Sequence, residues 1–107
     1  MPAEPKGCEL SWFVFVVRLS DEFTGQQRDR ILDQMRIRNI EVGNYFPPVH
    51  LMPFIAGPFG YKPGDFPAAE SASQRTIALP FHNRLTQDQV ATVCKTLRGI
   101  LDKELKD

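Results

Sequence analysis

Trp12-Phe13-Val14-Phe15-Val16-Val17 is the longest apolar run in the chain, and it shows no alternation until Arg18. Aromatic and β-branched residues favour extended structure, so residues 11–19 are predicted to form the principal strand. Continuous apolarity points to a central strand covered on both faces, or one with a face against a partner. Residues 21–25 turn the chain. From 26 to 38 the pattern changes period: Ile31, Leu32 and Met35 make one stripe, and Arg28, Asp29, Arg30, Asp33, Arg36 and Arg38 are expected on the remaining surface. Asn39 fits a left-handed helix end, and Ile40, Val42 and Tyr45 are spaced for a short strand that Gly43 weakens.

The stretch 44–67 breaks the regular pattern. It holds six of the nine prolines and six of the eleven aromatics. One short helical turn is expected over 51–56, with the rest irregular. Long irregular connections in a compact domain are functional or disordered, and disordered segments are poor in aromatics, so an ordered binding surface is expected. Pro67 suits a first helical turn, with Asp65 as its expected cap and Ala68, Ala69, Ala72 and Thr76 as a small-residue face. Residues 77–79 read as an inner strand closed by Pro80. Thr86-Gln87-Asp88-Gln89 matches a capping box, followed by Val90, Val93, Cys94, Leu97, Leu101 and Leu105 at helical spacing. The order β-α-β-loop-α-β-α predicts an α+β fold: a small, mainly antiparallel sheet with helices on one face.

Composition narrows the partners. A chain of 107 residues is one domain, here a polar lead-in over 1–10 and a folded part over 11–107. Thirteen basic and thirteen acidic residues cancel, leaving no basic field for nucleic acid. The apolar run is too short to cross a membrane, and the first residues do not form a secretory signal. Cys8 and Cys94 are far apart, and Cys94 is expected as a buried reduced thiol rather than half of a disulfide. These features predict a cytoplasmic domain.

Candidate chemistry centres on Asn44-Tyr45-Phe46-Pro47-Pro48-Val49-His50-Leu51. Two successive prolines fix φ and remove two donors, and each pushes the residue before it, Phe46 and then Pro47, toward extended backbone. The segment is a stiff bracket carrying a phenol at Tyr45 and an imidazole at His50. Either these pack and cap the domain edge, or they hydrogen-bond a polar ligand among aromatics. Arg84 is a weaker candidate for an anionic ligand. The histidines and cysteines lack zinc spacing. The serines lack a nucleophile elbow, and no lysine sits where desolvation would activate it.

Residues 11–19, 44–51, 66–70 (Phe-Pro-Ala-Ala-Glu) and 76–81 (Thr-Ile-Ala-Leu-Pro-Phe) together resemble the DegT/DnrJ/EryC1/StrS family of PLP-dependent aminotransferases of nucleotide-linked keto sugars. The resemblance covers only the C-terminal small domain of these fold-type I enzymes. It implies a substrate-contact role for Tyr45 and His50 and a nucleotide-linked sugar as partner. It also implies that PLP, its Schiff-base lysine and its phosphate loop belong to a large domain, with no counterpart at any position of this sequence. The expectation is a domain that does not transaminate alone; a self-associating or small-molecule-binding module on the same fold is the alternative.

Overall fold

Thr24 starts the first helix because two side chains satisfy donors that a helix N-terminus leaves open. Gln27 N–H donates to Thr24 Oγ1 (3.2 Å) and Thr24 N–H to Gln27 Oε1 (2.8 Å), a capping box. The computed structural model describes residues 1–106 and places helix α1 at Gly25–Ile37; Asp107, the end of the expected domain, lies outside the described residues. Asn39 turns left-handed at φ 60°, as expected. Ile31, Leu32 and Met35 are buried, and so is Arg28, which was expected on the polar side. Positions 28, 31, 32 and 35 share one face of a 3.6-residue helix, so geometry overrides residue type.

Strand β1 (Phe15–Arg18) pairs antiparallel with β2 (Thr76–Leu79), with Phe15 opposite Leu79 and Val17 opposite Ile77. It is shorter than the expected 11–19, and its partner supplies the reason. The next pair would set Val14 opposite Pro80, which has no N–H. The ladder stops there, and Trp12 and Phe13 remain 41% and 75% exposed. Nor is β1 central, because it has one neighbour among the described residues while β2 takes the inner position. Beyond β2, the short strand expected near Ile40 and Val42 is reduced to a single bridge. Ala78 N–H donates to Gly43 O (2.8 Å) and Gly43 N–H to Ala78 O (3.2 Å).

The connection 44–67 carries a 3-10 turn (Val49–Leu51) and helix α2 (Pro53–Phe59), more ordered than the single turn expected. Helix α3 (Pro67–Ser73) begins at proline as expected, and α4 (Gln87–Lys106) follows the Thr86/Gln89 box. Val17, Ile77 and Leu79 share one face of the sheet. They pack with Ile31, Leu32 and Met35 of α1 and Leu97 and Ile100 of α4, so both long helices cover the same side of an α+β fold. Cys94 departs from expectation: it is exposed and, like Cys8, free. It borders an apolar groove of about 780 Å³ between α4 and the sheet rather than sitting in the core.

Candidate functional site

The bracket is anchored at its start by the buried Arg28. Its NH1 donates to Asn44 Oδ1 (3.2 Å), Ser73 O (2.7 Å) and Thr76 O (3.0 Å), while its Nε donates to Asp29 Oδ1 (2.8 Å). One guanidinium therefore ties the residue before Tyr45 to the end of α3 and the start of β2. Tyr45 is half-buried, its ring against Phe46 with centroids 4.8 Å apart. Phe46 itself is not extended as expected but has φ 81°, a conformation that costs a non-glycine residue energy. The following proline restrains mainly ψ of the residue before it, so φ is free to reverse and make the turn.

After Pro48 (φ −59°, ψ 126°) the chain closes into the 3-10 turn, with Leu51 N–H donating to Pro48 O at 3.0 Å. That turn carries His50 inward, to 8% exposure. Its ring meets Phe66 edge-on at 4.8 Å and Tyr61 at 6.4 Å, and Tyr61 packs on Phe66 at 5.3 Å and beside Phe59 at 6.1 Å. The two predicted residues thus have different settings: Tyr45 lies half-open beside Phe46, and His50 is enclosed by aromatics from the second half of the connection.

Sequence reasoning missed the group at the centre of this enclosure. Glu70, in α3, accepts Gly64 N–H through both oxygens (2.9 and 3.0 Å) and Phe66 N–H at 3.2 Å. Its Oε2 lies 3.4 Å from His50 Nε2, within ion-pair reach but not aligned as a hydrogen bond. That nitrogen is buried with no hydrogen-bond partner among the described residues. The Gly64 N–H, more than the Phe66 N–H or the nearby imidazole, holds the Glu70 carboxyl below the usual carboxylate range against the opposing effect of burial. Asp65, the expected cap of α3, accepts from Lys62 N–H instead (3.0 Å), and Phe66 occupies the cap position without a side-chain bond. Glu70 instead reaches back from the first turn to the N–H of Phe66 itself, as the reciprocal side chain of a capping box does. The available signal was a carboxylate in the first turn of a helix whose preceding residues offer unpaired donors.

All five lysines are exposed, a setting unlike the desolvated pocket that activates a Schiff-base amine. The N-termini of α1 and α4 are filled by their own capping boxes, which removes them as phosphate cradles. Among the described residues no helix is long and apolar enough to cross a membrane.

Residues 1–98 match the DegT/DnrJ/EryC1/StrS aminotransferase family. The chain is 33% identical over 104 residues to the dTDP-4-dehydro-2,3,6-trideoxy-D-glucose 4-aminotransferase of Saccharopolyspora spinosa, covering 97% of this chain and 25% of that protein. Bacillus subtilis spore coat polysaccharide biosynthesis protein SpsC is 30% identical over 92 residues, covering 85% of this chain and 24% of that one. Among solved structures, Helicobacter pylori PseC, an aminotransferase involved in the biosynthesis of pseudoaminic acid, superposes with a TM-score of 0.75. It is 18% identical, over 84% of this chain and 24% of its own. The chain spans about a quarter of the length of the curated relatives it matches.

Proposed function

Because this chain belongs to the PLP-dependent DegT/DnrJ/EryC1/StrS aminotransferase family, we infer that residues 11–107 are the C-terminal small domain of a nucleotide-sugar aminotransferase. Residues 1–10 are the lead-in. In this reading Tyr45 and His50 contact the sugar nucleotide, and transamination needs a larger domain. The observation that carries it is the contrast between an ordered, aromatic-lined connection and lysines that are all exposed. Sugars are bound by a few placed polar groups among aromatic rings, which is what His50, Tyr61 and Phe66 offer, with the Tyr45 phenol set apart beside Phe46. PLP exchanges amino groups through a lysine and needs a phosphate site, and the residues here do not fit it; those parts belong to the larger domain. Exposed, unpaired Cys8 and Cys94 are in keeping with a reducing, cytoplasmic setting.

Mixing the chain with a lysine-bearing large-domain fragment, PLP, an amino donor and a nucleotide-linked keto sugar is expected to yield amino-sugar product. Each component alone should yield none. Inertness of a folded mixture counts against the assignment. A titration with dTDP-glucose tests the site separately: His50→Ala and Tyr45→Phe should each weaken binding, by about tenfold for a lost hydrogen bond of ~1.4 kcal/mol. Unchanged affinity in both would remove these residues from the site.

A further inference from the structure

Glu70 confronts the inward edge of His50, and we propose that it is a positioning residue that fixes the imidazole as its Nε2–H tautomer. Nδ1 is thereby left as a lone-pair acceptor for a ligand hydroxyl. The use of Nδ1 rests on the reading of His50 as a substrate contact; the tautomer does not.

The geometry supplies the argument. A neutral imidazole carries one N–H and one lone pair, and neighbours decide which nitrogen has which. Here Nε2 is buried, 3.4 Å from Glu70 Oε2. A lone pair on Nε2 would face the lone pairs of a carboxylate, which is repulsive. A proton there faces the Glu70 carboxylate instead, at ion-pair distance. The carboxylate is also not free to swing away, because the Gly64 and Phe66 N–H groups fix both of its oxygens. Phe66 packs edge-on against the ring at 4.8 Å and Tyr61 at 6.4 Å, so the ring is held against rotation from two sides. The parts come from three elements: the 3-10 turn supplies His50, the Tyr61–Phe66 stretch supplies two rings, and α3 supplies the carboxylate.

Ring nitrogen-15 spectra of the full chain, taken for the neutral ring, should show His50 Nε2 as pyrrole-like and Nδ1 as pyridine-like. A pyridine-like Nε2 in the wild-type chain overturns the proposal without any variant. Glu70→Ala should shift both signals toward the averaged values of a free imidazole, and Glu70→Gln, whose amide oxygen still accepts, should restore the wild-type pattern. Exposed His82, whose Nδ1 accepts from Arg84 N–H at 3.2 Å, is the internal control and should not move. A purely structural role for Glu70 predicts no tautomer change in either variant. With dTDP-glucose as the probe, Glu70→Ala should weaken binding about tenfold and Glu70→Gln should recover most of it. If His50→Ala leaves dTDP-glucose binding unchanged while the spectra are as expected, the substrate-contact reading fails and the tautomer assignment stands.

Discussion

A buried arginine settles how the candidate site is held. Arg28 is 6% exposed, and its NH1 serves three oxygens from three different segments. Removing it leaves the carbonyls of half-buried Ser73 and Thr76 without this donor, while the amide of exposed Asn44 can turn to water. Arg28→Met is therefore expected to cost about 2–4 kcal/mol in denaturant unfolding. Arg28→Lys should recover only part of that, since an ammonium lacks the fork that spans separated acceptors. Arg36, paired with Asp33 at 3.2 Å but half exposed, is the contrast: Arg36→Ala should lie within about 0.5 kcal/mol of wild type. Glu70 gives the pH dependence. Its carboxyl is held low in the folded chain, first by the Gly64 N–H, so its contribution is complete above the ordinary carboxylate value and lost as pH falls through the lowered one. Gly64 and Phe66 amide signals should shift through that acidic range in the wild type and stay flat in Glu70→Gln. Neither residue stood out in the sequence, for related reasons. Arg28 occupies a core position in the helical period but has the composition of a surface residue. Glu70 acts on backbone groups four and six residues earlier, which no side-chain pattern displays.

Elements were more legible than the residues that join them. The stripe of α1, the box at Thr86 and Gln89, and the inner strand ending at Pro80 all follow from period and local chemistry, and each is found. Misses occur where a partner decides the outcome. β1 has strand composition from Trp12 onward, yet it can be no longer than the four-residue β2 that pairs with it. The segment at Ile40 and Val42 buries both side chains but forms one bridge, since its neighbour offers only Ala78 on that edge. Thr24-Gly25-Gln26-Gln27 is the same capping pattern as Thr86-Gln87-Asp88-Gln89, concealed by an Asp and a Gly that suggested only a turn. The two boxes make a paired prediction. Thr24→Ala should lower global stability by about 1 kcal/mol, because α1 carries Ile31, Leu32 and Met35 of the core. Thr86→Ala should cost less, because the first turn of α4 is exposed and frays alone; amide hydrogen exchange at Val90 should quicken while the unfolding midpoint moves little.

At the scale of the whole molecule, surface is the informative quantity. The chain exposes 7962 Å², against about 6,000 Å² expected for a free-standing globule of 12.2 kDa. Its radius of gyration, 15.8 Å over extents of 47 × 41 × 24 Å, exceeds the roughly 13 Å of a compact domain of this length. The excess area, roughly 30%, is of the order that one side of a large, permanent interface removes from water. Much of the uncovered surface is apolar: Phe13, Phe54 and Phe59 are 75%, 70% and 68% exposed. Such surface on a monomer marks an interaction site, and the larger domain that the proposed function requires is the expected cover. Phe13 is the sharpest probe, because it belongs to the strongest strand signal in the sequence yet lies outside β1 and the core. Replacing it tests what the apolar run is for. If the run serves the fold of this domain, Phe13→Ser should lower the unfolding free energy as a core truncation does, by about 3 kcal/mol or more. If it serves assembly, stability should change by less than about 0.5 kcal/mol. The isolated chain should then become less prone to associate in sedimentation, and its affinity for a large-domain fragment should fall at least about tenfold. The second set of outcomes is the expected one, since a ring three-quarters in water has little folding energy left to lose.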